Sequence, residues 1–161
     1  MKVAVISDTH LPRGTRTLSP ECLDRLAAAD VILHAGDVTE SEVLDTLGEL
    51  GPLQAVYGNM DSSELRTSLP NERIVEAGGA RIGMVHIPGA AAGRAARLVA
   101  RFPGCDAIVY GHTHVPEVTR EGGTWILNPG SPTEKRRAPN HTLLELRIAR
   151  GKLTPELVTL P

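Results

Sequence analysis

The sequence predicts an α/β fold, and three observations carry that expectation. In the first half, short apolar runs alternate with amphipathic stretches, and each run ends in polar residues and glycine. In the second half, three pairs of extended segments meet at small turns built around Gly78-Gly79, Gly122-Gly123 and Arg150-Gly151. Finally, five polar clusters rich in Asp and His each follow a strand-like segment, which is where α/β folds collect their binding residues.

Taken in order, Lys2 to Ile6 reads as a buried strand, followed by a loop over Ser7 to Arg16. Ser19 is placed to cap a helix near Pro20 to Ala29, with proline at the first helical position, where its missing N–H is no loss. Val31 to Ala35 is the second strand. Thr39 and Glu42 fit a capping box ahead of a helix whose Val43, Leu44, Leu47 and Leu50 share one face, and Gly51-Pro52 ends it. Leu53 to Tyr57 is the third strand. The hairpins span Ile74 to Val85, Val115 to Leu127 and Leu143 to Val158, with an Ala-rich helix over Ala91 to Arg101 and a strand over Asp106 to Tyr110 between the first two. Asp61 to Asn71 and Pro132 to Asn140 read as the longest irregular segments, and long ordered loops are where sites tend to be built. At 161 residues the chain reads as one domain, 1–161.

Composition excludes several functions. Seventeen Lys and Arg against nineteen Asp and Glu give a formal charge of −2, without the basic excess that sequence-independent nucleic-acid binding requires. Tyr57, Phe102, Tyr110 and Trp125 are the only aromatic residues, too few for a base-stacking platform. Cys22 and Cys105 are far apart and lack paired metal spacing, which rules out a disulfide scaffold and suits a reducing compartment. No apolar run approaches the roughly 18 to 20 residues of a membrane span, and a strand begins at once, so a cytoplasmic protein without signal peptide or membrane contact is expected.

The clusters after the strands are Asp8-Thr9-His10, Gly36-Asp37, Gly58-Asn59-Met60-Asp61, His86 and Gly111-His112-Thr113-His114. Asp-x-His and His-x-His place two ligand types on one side of an extended segment, so one short stretch can grip a metal twice. Glycine before Asp37, Asn59 and His112 lets the backbone turn or approach an ion closely. Each motif alone has an ordinary structural explanation; their joint occurrence at strand ends points to a metal site. His34, inside a strand, reads as a hydrogen-bonded core residue, and His141 as solvated loop.

In this order, with Asn128-Pro129-Gly130-Ser131 and a closing hairpin, these residues resemble the calcineurin-like metallophosphoesterase superfamily in its small YfcE-type phosphodiesterase branch. The resemblance spans nearly the whole chain. It implies a sandwich of two mixed β-sheets flanked by helices, a four-layer αββα arrangement. By the same analogy, Asp8, His10, Asp37 and His114 hold one divalent ion and Asp37, Asn59, His86 and His112 the other, with Asp37 bridging. It also implies a metal-dependent phosphoesterase, chiefly a phosphodiesterase, in which hydroxide between the ions attacks phosphorus in line. Asp37, Asn59, Asp61 and His112 are then the catalytic residues, Asp61 by orienting a ligand. A mixed nitrogen and oxygen shell suits manganese, with iron, zinc, nickel or cobalt compatible.

Two positions depart from the family pattern. Met60 stands where many members have a histidine thought to act as general acid, which predicts a preference for good leaving groups or modest turnover. His86 is followed by Ile87-Pro88-Gly89 rather than directly by glycine. Arg13, Arg16 and the run Lys135 to Arg137 are candidates for holding phosphate, and nothing selects a particular small phosphate ester. A metal-binding scaffold or protein-interaction subunit is the alternative, since a eukaryotic relative of this fold is a retromer assembly subunit; the full complement of His10, His112 and His114 argues against it. The Ala-rich helix near Ala90 to Ala100 leaves a homo-oligomer open.

Overall fold

Alternation along β1 (Lys2–Ile6) organises the architecture: Val3 and Val5 enter one apolar core while Ala4 and Ile6 enter another. A strand covered on both faces must be apolar throughout, which is why this segment reads as an unbroken hydrophobic run. The computed structural model describes residues 1–161. After β1 come α1 (Pro20–Ala27), β2 (Val31–His34), α2 (Ser41–Gly48), β3 (Leu53–Ala55), α3 (Ser63–Ser68), β4 (Glu72–Ala77), β5 (Ala80–Val85) and α4 (Arg94–Arg101). The chain continues through β6 (Ala107–Tyr110), β7 (Glu117–Glu121), β8 (Thr124–Asn128), β9 (His141–Ala149) and β10 (Lys152–Leu160).

The strands form two five-stranded mixed sheets, ordered β10-β9-β1-β2-β3 and β4-β5-β6-β8-β7. Strands β1, β2 and β3 run parallel, as do β5, β6 and β8, so each sheet gathers several carboxyl ends at one edge. A 16-residue core that includes Val3, Val5, Leu33, Ile82, Met84, Val109 and Leu146 lies between the sheets. Cys22 and Leu26 of α1 and Leu47 of α2 cover the outer face of the first sheet, and Leu98 of α4 and Phe102 cover that of the second. The sandwich with helices on both outsides is therefore present. Pro155 is accommodated because β10 is an edge strand that needs no further ladder partner.

All three hairpins form, and Gly78-Gly79 and Arg150-Gly151 take positive φ at both turn positions. Ser19 caps α1 by accepting the Cys22 amide, as expected. Four local expectations fail. The Thr39–Glu42 capping box does not form: Thr39 has φ 99°, its hydroxyl donates to the Leu11 carbonyl, and α2 starts after Glu40 without a side-chain cap. The helix expected from Ala91 starts at Arg94, because Gly93 is left-handed. Part of the segment read as irregular at Asp61 to Asn71 is α3, capped by Ser62, which accepts the Leu65 amide. His141 opens β9, paired with Leu160, and is half-buried rather than solvated.

Candidate metal centre

The loops after β1, β2, β3, β5 and β6 bring all seven expected metal ligands to one place. His10 Nε2 lies 3.8 Å from Asp8 Oδ1 and 3.6 Å from Asp37 Oδ2, and 3.3 Å from His114 Nε2. His86 Nε2 is 3.2 Å from Asp37 Oδ2 and 3.2 Å from Asn59 Oδ1, which His112 Nδ1 approaches to 3.0 Å. Asp37 Oδ2 thus faces one histidine of each expected set. Asp8 Oδ1 also spans both, at 3.3 Å from His114 Nε2 and 3.9 Å from His86 Nε2. Two groups, Asp8–His10–His114 and Asp8–Asp37–His86, have ligand atoms mutually within 4.8 Å, and all five of these residues are buried. Asn59 and His112 are exposed and form the open side.

The far atoms of these ligands are tied down. His86 Nδ1–H donates to the Ala35 carbonyl at 2.7 Å and His114 Nδ1–H to the Glu134 carbonyl at 2.5 Å, so in both rings Nε2 faces the cluster, a proton donor to the carboxylates when the ring is charged and a lone pair when it is neutral. Met60 N–H donates to Asp37 Oδ1 at 2.8 Å, leaving Oδ2 free, and Ser7 Oγ donates to Asp8 Oδ2 at 2.6 Å. His34 is the buried structural residue expected: its Nδ1 accepts the Gly36 amide and its Nε2–H donates to Thr9 Oγ1. Burial pushes its pKa down to about 4, so it is neutral at physiological pH.

Backbone shape corrects one sequence argument. The Asp-x-His and His-x-His stretches are not extended: Asp8, His10, Asp37, His112 and His114 all have φ between 46° and 71°. Left-handed backbone costs roughly 1–2 kcal/mol per non-glycine residue, and such strain clusters at functional sites. Glycines give the room the loops need. A Cβ at Gly58 would sit 2.1 Å from Asp37 Oδ1, and one at Gly111 would sit 2.1 Å from Ser7 Oγ.

Electrostatics follow from burial and pairing. Burial alone would raise Asp8, yet the adjacent His10 and His114 rings outweigh it and hold its carboxyl well below the usual range. Asp37 is likewise lowered, burial being overcome by its hydrogen bond with His86. Burial would depress His86 and His114, but Asp37 raises the first and Asp8 the second. His112 is lowered, by burial and then by the charge of His86. Neither Asp8 nor Asp37 pairs with a lysine or arginine. Two buried carboxylates with converging imidazole lone pairs and an amide oxygen are a donor set that fits divalent ions.

Asp61 plays a different part from the ligands. Its Oδ2 accepts the Gly58 amide at 2.6 Å and the Asp37 amide at 3.2 Å, and its Oδ1 accepts the Thr39 amide at 2.7 Å. It locks the two ligand loops together, and burial pushes its pKa up against the pull of those amides. Sequence reasoning missed Glu134 and undervalued Ser131. Ser131 Oγ donates to the Asp8 carbonyl and accepts the Glu134 amide, which brings Glu134 Oε2 within 3.7 Å of His10 Nε2. The signals available were the position of Ser131 directly after the strand-ending Asn128-Pro129-Gly130 and that of Glu134 inside the irregular segment Pro132 to Asn140. Lys135, Arg136 and Arg137 are exposed.

A family model described as calcineurin-like phosphoesterase superfamily domain matches residues 1–151. The chain belongs to that superfamily. A probable metallophosphoesterase of Methanocaldococcus jannaschii is 35% identical over 161 residues, covering 98% of this chain and 81% of the relative. Among solved structures, the Thermotoga maritima protein TM1076 is 31% identical, with a TM-score of 0.77 over 99% of both chains. Vps29 from Entamoeba histolytica, complexed with Zn²⁺, is 26% identical with a TM-score of 0.78, again over 99% of both chains. Superfamily membership makes this a chain of the phosphate-ester hydrolase class with a divalent-metal site, and none of its helices is long and apolar enough to cross a membrane.

Proposed function

We propose that this chain is a metal-dependent phosphodiesterase working at a dinuclear centre on a small phosphate ester, with manganese the favoured ion. The observation that supports it is the buried pair Asp8 and Asp37, uncompensated by any lysine or arginine and ringed by histidines, of which His86 and His114 have their outer nitrogens already engaged. Burying two carboxylates without a cation is costly. Asp8, His10, Asp37 and His114 would hold one ion, and Asp37, Asn59, His86 and His112 the other. When bound, such ions supply Lewis-acid polarisation of phosphoryl oxygens and a water of lowered pKa.

The protein's own contribution is orientation. Ser7 Oγ and the His112 amide hold Asp8 Oδ2, the Met60 amide holds Asp37 Oδ1, and Asp61 fixes both the Asp37 and the Gly58 loops. The exposed Asn59 and His112 leave one side for a substrate to enter. Met60 contributes its backbone amide to Asp37 while its side chain, 54% exposed, offers no proton. Esters whose leaving group departs without protonation are therefore the favoured substrates. The unpaired, buried Cys22 and Cys105 support a cytoplasmic location.

A second reading, a metal-binding scaffold or protein-interaction subunit with little catalysis, is favoured by the likeness to Vps29. Because that likeness extends to a Zn²⁺ complex, metal binding does not separate the two readings and turnover does. The test is an assay of an activated aryl phosphodiester beside the matching phosphomonoester, with each divalent metal, on the native chain and on Asp37→Asn. Manganese-stimulated diester cleavage, reduced at least a hundredfold in Asp37→Asn, is expected. Equal activity in the variant refutes the bridging role, and no turnover with any metal favours the scaffold.

A further inference from the structure

Beside the candidate metal centre lies a cavity of about 470 Å³ that the ligand cluster itself does not use. It sits between the loop after β1 and the segment after β8, and it has no hydrophobic lining residue. Apart from Pro132, Pro161 and His141, its lining side chains are guanidinium and hydroxyl groups. Arg13 and Arg16 supply two guanidinium groups, and Thr15, Thr17 and Ser19 supply hydroxyl donors, while no Asp or Glu lines it. Arg13 has neither an ion pair nor a side-chain hydrogen bond, unlike Arg25 or Arg101, which hold glutamates. Ser19 Oγ accepts the Cys22 amide and so keeps its own proton for an acceptor in the cavity.

Two links join this cavity to the ligands. Thr133 Oγ1 donates to the Thr9 carbonyl at 2.7 Å, between Asp8 and His10. Arg16 Nη1 lies 3.4 Å from Glu134 Oε2, and that same oxygen is 3.7 Å from His10 Nε2. A single carboxylate oxygen therefore separates the cavity's inner guanidinium from a candidate metal ligand. One unpaired guanidinium, a second one held by Glu134 at the cavity's inner edge, and hydroxyl donors, with no Asp or Glu in the lining, make a binding site for a phosphate-sized anion.

We infer that this cavity holds a second phosphate group of the substrate, so that the preferred substrates are diesters carrying a phosphomonoester beside the scissile bond. The inference rests on the phosphodiesterase reading for its substrate, while the anion site itself stands on the cavity alone. Two measurements test it. The first titrates inorganic phosphate into the metal-free, isotope-labelled chain in chelator: backbone shifts at residues 13–19 and 133 are expected, weakened about tenfold by Arg13→Ala and reduced by Thr17→Val. The second compares kcat/KM for one aryl diester with and without an appended phosphomonoester. The native chain is expected to prefer the phosphorylated diester through a lower KM, and Arg13→Ala to cut that preference about tenfold, the size of one charge-assisted hydrogen bond. Shifts in the first experiment without preference in the second mean a site for free phosphate and overturn the substrate assignment. No shifts at these residues, or the native preference retained in both variants, overturns the site. Failure of the phosphodiesterase reading is distinguishable, because it abolishes turnover of both diesters yet leaves the phosphate titration unchanged.

Discussion

Gly111 offers the sharpest test of how the cluster is held. A methyl group there would lie 2.1 Å from Ser7 Oγ, 2.8 Å from Asp8 Oδ2 and 3.0 Å from the Ala35 carbonyl. Ordinary contact is near 3.5 Å, so Gly111→Ala must displace the Ser7 hydroxyl and press on a backbone carbonyl that cannot rotate away. Overpacking of this kind costs about 1–3 kcal/mol, and the backbone contact places this case near 3. Ser7→Ala alone loses the 2.6 Å hydrogen bond to Asp8 Oδ2. Since that oxygen also accepts the His112 amide at 3.0 Å, it is not orphaned and the cost is about 1.5 kcal/mol. In the double variant the hydroxyl is gone, so the methyl meets one obstacle fewer and the two costs add to less than their sum. Urea unfolding of the metal-free native chain, both single variants and the double variant measures the cycle. A coupling of about 1 kcal/mol towards rescue is expected. Strict additivity, or a Gly111→Ala chain as stable as the native one, would refute the reasoning that Gly111 exists to admit the Ser7–Asp8 contact.

Two further outcomes follow from the geometry. His86→Ala removes a buried nitrogen 3.2 Å from Asp37 Oδ2, and calorimetric titration with Mn²⁺ should read weaker binding or a stoichiometry falling from two towards one; unchanged values would exclude His86 as a ligand. Away from the centre, Glu145 accepts from Arg25 at 2.9 Å and lies 3.1 Å from Lys2; burial works against it, but these partners hold its carboxyl below the ordinary 4.5. A depressed folded-state pKa contributes stability above the unfolded value that is lost as pH falls through the folded one. Urea midpoints between pH 6 and pH 3 should therefore fall more steeply for the native chain than for Glu145→Gln, and parallel curves would exclude the linkage.

How much of this was readable from residues alone depends on the range of the interaction. The hairpins were legible because Gly-Gly and Arg-Gly turns and flanking alternation are local, and so was the cap on α1, where Ser19 and Cys22 are three residues apart. The Thr39–Glu42 box was legible and wrong. A contact 28 residues away, the Thr39 hydroxyl on the Leu11 carbonyl, takes the group that the box would have used. Likewise α3 was hidden in a polar segment too short and too weakly amphipathic to announce itself, although Ser62 and Glu64 are a serviceable start signal.

Residue type and order by themselves determined the α/β class, the five clusters and the donor chemistry, because strand-end Asp and His residues are set by local sequence. Only the tertiary structure decided that five candidate ligands are buried while Asn59 and His112 stay open, that the stretches carrying them are left-handed rather than extended, and that Glu134 stands beside His10. The physical reason is separation along the chain. Asp8 meets His112 across 104 residues and Ser131 across 123, and no local propensity encodes contacts that only sheet register and loop closure bring together.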